Sequence, residues 1–223
     1  MLALFTGVRE PAHEPVRDSR GNGRPLPGEL RRYLFTVGLY TLANASDLFL
    51  LAAATAAGVD TAHVLLLWSA HHLVKAGLAA PLGGLSDRLG RRRVILAGWT
   101  VTAVSYVGFA FAQSAWHIWV LFAVYGATFG FTEGAEKALV AEHSPEAGRG
   151  RAFGAFHLVV GLVALPGQIG FGLLWDAHGR QTAFLVAAAV VALALVAGVL
   201  GGVTTRSGGS GPLTAPSGTP AGR

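Results

Sequence analysis

Six long apolar stretches, separated by short polar segments, dominate the sequence. A helix needs about 20 predominantly apolar residues to cross the hydrocarbon core of a bilayer, and each stretch is long enough to do so. The pattern therefore predicts an all-α integral membrane protein with six transmembrane helices. We place these helices at 31–57, 62–86, 93–113, 115–141, 151–175 and 180–203.

The arginines are distributed unevenly over the segments between these stretches. The turns near 58–60, 113–114 and 176–179 contain neither Lys nor Arg, although Arg180 borders the last of them. The alternate turns and the two flanks contain Arg31 and Arg32, the arginines between 88 and 93, Arg149 and Arg151, and Arg206. Cationic segments resist translocation, so this asymmetry predicts a multi-pass protein of the plasma (inner) membrane with both termini in the cytoplasm.

Composition supports this membrane assignment and excludes several other classes of function. The 223 residues are 52% hydrophobic and only 13% charged, with a mean hydropathy of +0.50, whereas soluble domains carry roughly 25% charged residues. There is no cysteine, which excludes disulfides and thiolate metal sites. The net charge of +5 does not indicate nucleic-acid binding, because the arginines lie in short loops and tails rather than on one basic surface.

The ends of the sequence differ from its middle. Residues 1–28 are polar and proline-containing, which we interpret as the remnant of an upstream helix followed by a cytoplasmic linker. Residues 29–203 form the six-helix transmembrane bundle. Residues 204–223 are mainly Gly, Ser, Thr and Pro, and we expect a disordered cytoplasmic tail there.

The turn between the second and third stretches carries the most specific motif. Its sequence over 83–93 is Gly-Gly-Leu-Ser-Asp-Arg-Leu-Gly-Arg-Arg-Arg, which we predict to be a short cationic loop. Asp87 and Arg91 are four positions apart and would pair if that turn were helical; alternatively, Asp87 could lie at the N-terminus of a neighbouring helix. A loop that only fixes topology needs positive charge alone, so Asp87 and Gly90 indicate a further role for this segment.

The pattern Gly-x-x-x-Asp-Arg-x-Gly-Arg-Arg closely resembles the signature loop of the major facilitator superfamily of transporters. The segment 133–154 also resembles the junction between the fourth and fifth helices of this family. Over 29–203 the resemblance implies one half of the family's fold, built from two inverted three-helix repeats. The linker-like start implies the C-terminal half, helices seven to twelve. Transport would then need the missing N-terminal six-helix half, or a second copy of this chain, as a partner.

The resemblance also implies a role for the motif. In the family, the equivalent acid and arginines help to lock the cytoplasmic side between neighbouring helices in the outward-open state. Here that gating role falls on Gly83, Asp87, Arg88, Gly90, Arg91 and Arg92.

Charged residues inside the apolar stretches are the candidates for a solute or proton site. A charge at the centre of a span costs about 2.5–3.5 kcal/mol on insertion scales, so it is seldom there without a role. The candidates are Asp47, Lys75, Glu133 and the neighbouring Asn44. Three interpretations of Asp47 and Lys75 stay open: a buried structural ion pair, coupling to solute or protons through an unpaired Asp47, or the lining of a hydrated cavity without coupling.

Other polar residues in these stretches have simpler interpretations. Glu133 and Lys137 are four positions apart, in the order that favours a helical ion pair. For Glu136 and Lys137 we expect snorkelling and local ion pairing. Adjacent His71 and His72 point about 100° apart on a helix, so the sequence predicts no metal site and no cofactor.

The sequence thus favours secondary active transport of a small solute, polar or amphiphilic, by alternating access through a cavity between two six-helix bundles. The alternative is a truncated six-helix membrane protein that binds or scaffolds without transporting. An enzyme is disfavoured because Gly-x-Ser-x-Gly, His-Glu-x-x-His and P-loop motifs are absent from the sequence.

Overall fold

The structure, a computed structural model, describes residues 25–44, 46–144 and 146–200, and within these ranges the chain is helical apart from short turns. The linker and tail predicted at 1–28 and 204–223 therefore lie almost wholly outside the described residues. The described part contains six helices: α1 Gly28–Ala43, α2 Asp47–Ala56, α3 Thr61–Leu89, α4 Arg91–Phe111, α5 Ala115–Glu142 and α6 Arg149–Leu200. A short 3₁₀ turn, Glu146–Gly148, precedes α6.

Four described segments are long and apolar enough to cross a membrane. They are Gly28–Ala56, Arg91–Phe111, Ala115–Glu142 and Arg149–Leu200. The prediction of an all-helical protein with several membrane-length apolar helices is therefore confirmed. Helix α3 has 29 residues but is more polar than these four, since it contains His71, His72 and Lys75.

The first predicted span, 31–57, is not one continuous helix. Helix α1 ends at Ala43, and Asn44 has an extended backbone (φ −71°, ψ 98°). Helix α2 restarts at Asp47 with Ser46 as its N-cap, whose hydroxyl accepts a hydrogen bond from the Leu48 N–H. Ser and Asn favour caps over helix interiors because their side chains compete for backbone hydrogen bonds, which accounts for the break.

The last two predicted spans are the two arms of α6. Gly179 interrupts this 52-residue helix with φ 82° and ψ 169°, a conformation available to glycine because it has no Cβ. The rings of Phe171 and Phe184 lie 5.1 Å apart, so the chain folds back on itself at Gly179. The turn predicted over 176–179 is thus reduced to one non-helical glycine between the first arm, 149–178, and the second arm, 180–200.

The prediction of a short loop over 83–93 is wrong, because all but one of these residues are helical. Helix α3 continues to Leu89 and α4 begins at Arg91, so only Gly90 is non-helical. Its φ of 89° lies in the region that glycine tolerates. The remaining motif residues, including Gly83 and Asp87, are helical and extend the two helices to their shared corner.

At the opposite end of α3, Asp60 caps the helix. Its carboxylate accepts hydrogen bonds from the N–H groups of Ala62 at 2.9 Å and His63 at 3.1 Å. These bonds stabilise the ionised form, and the bond from the His63 N–H contributes most to lowering the pKa of Asp60.

Apart from the broken pair α1 and α2, helices that follow one another in the sequence run in opposite directions. Tyr106 of α4 packs on Tyr125 of α5, while Arg91 near the start of α4 contacts Glu142 at the end of α5, so these helices are antiparallel. Helix α3 runs parallel to α5, and the first arm of α6 runs parallel to α1. The largest fully buried side chains lie along α4, α5 and the second arm: Trp99, Tyr106, Phe109, Tyr125 and Phe184.

Two of the six glycines on the first arm of α6 mediate close helix packing. A Cβ built on Gly167 would lie 2.5 Å from the carbonyl oxygen of Leu42, and one on Gly172 would lie 3.1 Å from the Phe49 ring. In contrast, a Cβ on Gly154, Gly161 or Gly170 would meet nothing within 4 Å. Small residues allow backbones to approach where lipid provides little drive for helix association, and here that role belongs to Gly167 and Gly172.

We predict that Gly167→Ala destabilises the bundle and that Gly161→Ala does not. The added methyl at 167 collides with the Leu42 backbone, and overpacking of this kind costs about 1–3 kcal/mol. Thermal unfolding in detergent should show a lower melting temperature for Gly167→Ala only. Equal melting temperatures for the two variants would contradict the close approach.

Candidate functional site

A cavity of about 710 Å³ lies between α1, α2, α3, α5 and the first arm of α6. All four site candidates from the sequence, Asn44, Asp47, Lys75 and Glu133, line it. Its walls also contain Tyr40, Trp68, Phe129, Thr132, Glu136, Lys137, His157 and Gln168. The fold therefore concentrates most of the charge within the apolar segments on one cavity.

Glu133 connects the two lysines of the chain. One carboxylate oxygen lies 2.9 Å from Lys75 Nζ and the other lies 2.9 Å from Lys137 Nζ. The Lys75 ammonium also lies 5.0 Å from the centre of the Phe129 ring, a cation–π geometry. This Lys75–Glu133–Lys137 cluster gives each lysine a counter-charge inside a segment that would otherwise penalise it.

The hypothesis of an Asp47–Lys75 ion pair is wrong. Lys75 pairs instead with Glu133, because α3 packs along α5 and brings the two side chains to the same level. Among the described residues, no ion pair joins Asp47 to a cation. Asp47 is half-buried, lines the cavity and is the first residue of α2, where the positive end of the helix dipole favours a carboxylate.

Asn44 anchors the break between α1 and α2. Its side-chain oxygen accepts hydrogen bonds from the hydroxyls of Tyr106 at 3.0 Å and Tyr125 at 3.2 Å. Both tyrosines are fully buried, one on α4 and one on α5. Buried hydroxyls need partners, so Asn44 joins three helices at the cavity wall. The sequence indicated Asn44 as a site residue but did not indicate the two tyrosines. Their hydroxyl groups were the only polar feature that could have identified them within apolar helices.

We predict that Asn44→Ala destabilises the protein by about 1–3 kcal/mol, because two buried hydroxyls lose their acceptor. Asn44→Asp retains an acceptor oxygen and should retain most of the stability. Ser105→Ala is the control, since the Ser105 hydroxyl is buried without a hydrogen-bond partner among the described residues. Thermal unfolding in detergent compares the three; a loss with Ser105→Ala as large as that with Asn44→Ala would contradict the anchoring role.

Glu136 is held inside the bundle. Its carboxylate accepts a hydrogen bond of 3.1 Å from the indole N–H of Trp99, and Trp99 stacks on Tyr40 with ring centres 4.5 Å apart. The snorkelling interpretation is therefore wrong for Glu136, whereas local ion pairing of Lys137 is confirmed by its contact with Glu133. Trp99 was not a sequence candidate, although a buried indole N–H needs an acceptor.

The motif forms a second polar cluster at the corner between α3 and α4, which we call the motif end of the bundle. Arg91 lies 3.8 Å from Asp87, so the predicted pairing is confirmed. Arg91 also lies 3.0 Å from Glu142 and donates a hydrogen bond to the Ala138 carbonyl, which attaches α4 to the end of α5. The Asp87 side chain is 72% exposed. In the described structure it makes no hydrogen bond to the N-terminus of another helix, which was the alternative interpretation.

Arg92 joins the motif to the last helix. Its guanidinium donates hydrogen bonds to the carbonyls of Gly198 at 3.1 Å and Val199 at 2.9 Å. The last turn of a helix has carbonyls without intrahelical partners and carries partial negative charge, so a cation is favourable there. Arg88 is exposed, and Gly90 forms the corner. The six motif residues thus lie together, with Arg91 and Arg92 making the contacts between helices.

No metal-ligand group is present in the described ranges: three or more His, Asp or Glu side chains do not converge there. His71 is buried, and its ring stacks on that of Tyr125 with centres 5.7 Å apart. Its Nδ1 lies 3.4 Å from the Phe122 carbonyl. These contacts give His71 a packing role between α3 and α5.

Comparison with known proteins identifies the family. The family profile of the Major Facilitator Superfamily matches residues 33–220. The chain belongs to this superfamily. The match confirms the resemblance carried by the motif, and with it a membrane protein of a transporter family rather than an enzyme.

Individual relatives agree with the family. An uncharacterized MFS-type transporter of Methanocaldococcus jannaschii is 33% identical over 181 residues, which cover 78% of this chain and 44% of the relative. The multidrug resistance protein MdtG of Proteus mirabilis is 34% identical over 122 residues, 54% of this chain and 30% of that protein. The sequence thus spans less than half the length of these relatives.

A solved structure supports the fold. The crystal structure of the peptide transporter POT in complex with alafosfalin superposes with a TM-score of 0.63 at 18% sequence identity. The superposition covers 79% of this chain and 38% of that transporter. At this level of identity the similarity concerns the fold alone.

Proposed function

We propose that this chain forms one half of a major facilitator transporter and moves a small solute across the membrane by alternating access. The observation that carries the proposal is the cavity of about 710 Å³, whose walls bear charged side chains on membrane-length helices. Charge within a bilayer is tolerated when it faces a cavity and finds partners there. Secondary transporters bind solutes in such midplane cavities.

The half-transporter proposal rests on helix count and direction. The broken pair α1 and α2, the helices α3, α4 and α5, and the two arms of α6 together make six passes that alternate in direction. Six passes correspond to two inverted three-helix repeats, which we assign to helices seven to twelve. A complete path needs a second six-helix lobe, supplied by an N-terminal half or by a second copy of the chain.

The orientation follows from the cations at the motif end. Arg31 and Arg32 at the start of α1, Arg91 to Arg93 and Arg149 all belong to this end. By the positive-inside rule the motif end faces the cytoplasm, with both termini on the same side of a plasma (inner) membrane. In this orientation Asp87, Arg88, Arg91 and Arg92 contribute to a gate at the cytoplasmic mouth.

The cavity favours an organic solute with both polar and apolar parts. Aromatic walls from Tyr40, Trp68 and Phe129 alternate with carboxylates and ammonium groups. The name of one relative, a multidrug resistance protein, also concerns organic solutes. Asp47 is our candidate for coupling, because it is the cavity carboxylate that neither an ion pair nor a side-chain hydrogen bond holds in the described ranges. Glu136 also lacks an ion pair there, but it accepts a hydrogen bond from the Trp99 indole.

The absence of cysteine permits a direct test of alternating access. Gln168→Cys places a thiol on the cavity wall, and Val104→Cys places one at a similar depth on the outer face, where Val104 is 66% exposed. A membrane-impermeant maleimide should label Gln168→Cys in right-side-out and in inside-out vesicles, because each conformation opens one side. It should label Val104→Cys from neither side.

Labelling of Gln168→Cys from only one side would contradict alternating access and favour the binding or scaffold alternative. Labelling of both variants to the same extent from both sides would indicate a leaky or unfolded preparation, which the melting temperature of each variant identifies before the assay.

We predict that Asp47→Asn abolishes coupling to a pH gradient while solute exchange persists. A panel of organic cations and peptides in proteoliposomes provides the flux, and an internal pH dye provides the proton signal. The matched control is Asp176→Asn, which removes an exposed carboxylate outside the cavity. Proton dependence that is unchanged in Asp47→Asn would remove Asp47 from the coupling role.

A further inference from the structure

A second hollow lies on the surface at the motif end, between the start of α1 and the end of α6. This groove has a volume of about 730 Å³. It is distinct from the charged cavity, with which it shares no lining residue. Its walls include Arg31, Arg32, Phe35, Thr36, Ala197 and Leu200.

Two adjacent cations in this groove make no ion pair within the described part of the chain. Arg31 and Arg32 are both exposed, and neither makes an ion pair or side-chain hydrogen bond with another described residue. The acid of the same helical turn, Glu29, lies 3.5 Å from His143 at the end of α5. Helix α1 also has no side-chain cap at its N-terminus, so the positive end of its dipole adds to the positive potential.

The rest of the groove is apolar and faces outwards. Phe35 is 65% exposed and Leu200 is 79% exposed. The opposite wall is fixed in place, because Arg92 holds the carbonyls of Gly198 and Val199 at the end of α6. Cations at the motif end therefore continue directly into an apolar surface that runs along the bundle towards the membrane interior.

We propose that this groove binds an anionic phospholipid of the cytoplasmic leaflet. Arg31 and Arg32 contact the phosphate, and the acyl chains lie along Phe35 and Leu200. Guanidinium groups form charge-assisted, often bidentate hydrogen bonds to phosphate oxygens. Basic pockets between transmembrane helices on the cytoplasmic side are suited to anionic headgroups, and the apolar wall distinguishes a lipid from a free anion.

The net charge of the chain's own end segments does not match this groove. Residues 1–24 contain four arginines against three acidic side chains, and residues 201–223 contain two arginines and no acidic side chain. Both segments carry a net positive charge, so charge complementarity favours an anionic ligand from the membrane.

Native mass spectrometry of the full chain in detergent tests the proposal. Titration with palmitoyl-oleoyl-phosphatidylglycerol should show one preferentially bound lipid, and the matched phosphatidylcholine should bind weakly. The double variant Arg31→Gln/Arg32→Gln should weaken phosphatidylglycerol binding roughly 25-fold, about fivefold per arginine. The control Arg93→Gln/Arg149→Gln removes the same charge from exposed positions outside the groove and should leave binding unchanged.

A second variant tests the shape of the groove without changing charge. Ala197→Trp fills the space beside Arg32 and should reduce phosphatidylglycerol binding, while inorganic phosphate at millimolar concentration should not compete. Equal losses in the two double variants, equal binding of the two lipids, or displacement by inorganic phosphate would each overturn the lipid site. Melting temperatures confirm that each variant is folded before titration.

Discussion

The structure depends on a single constraint: charge that lies within membrane-length helices must find a partner or a cavity. Glu133 forms ion pairs with Lys75 and Lys137, each at 2.9 Å. Glu136 accepts a hydrogen bond from the indole N–H of Trp99. These groups lie on one cavity, whereas the outer surfaces carry exposed aliphatic side chains such as Leu193 and Val104. The charged side chains therefore line an interior cavity, and the exterior has the apolar character that lipid requires.

The break between α1 and α2 links this constraint to the scaffold. Ending α1 at Ala43 frees backbone groups and turns Asn44 towards the core, where it accepts from Tyr106 and Tyr125. The restart places Asp47 in the first turn of α2, facing the cavity. At the motif end, Arg91 and Arg92 attach α4 to the ends of α5 and α6. The break at the cavity wall is therefore anchored to α4 and α5, and the motif end separately attaches α4 to α5 and to α6.

The sequence predicted the helical membrane fold and the family because hydropathy and the motif are local signals. It also named Asp47, Lys75 and Glu133 as candidates for one site, because charged side chains within a membrane need a cavity or a partner. It did not place Glu136 and Lys137 on the same cavity. Spacing of four residues predicted the Asp87–Arg91 and Glu133–Lys137 pairs. It missed the Lys75–Glu133 pair, because that pair depends on α3 packing along α5. The sequence also predicted a short loop over 83–93, because runs of glycine and arginine are typical of loops, whereas Gly90 alone makes that turn. Trp99, Tyr106 and Tyr125 were missed because their polar atoms are hidden in apolar periodicity.

Hydration of the cavity within the bilayer is the property that most directly tests this structure. A nitroxide attached at His157→Cys, on the cavity wall, can be compared in lipid nanodiscs with one at Leu193→Cys on the second arm, outside the cavity. Power-saturation electron paramagnetic resonance then reports collision with a water-soluble nickel complex and with oxygen. The account predicts strong nickel and weak oxygen contact at 157, with the reverse at 193. Oxygen-dominated contact at both positions would show that lipid covers the charged wall, and would contradict a cavity closed by a second lobe.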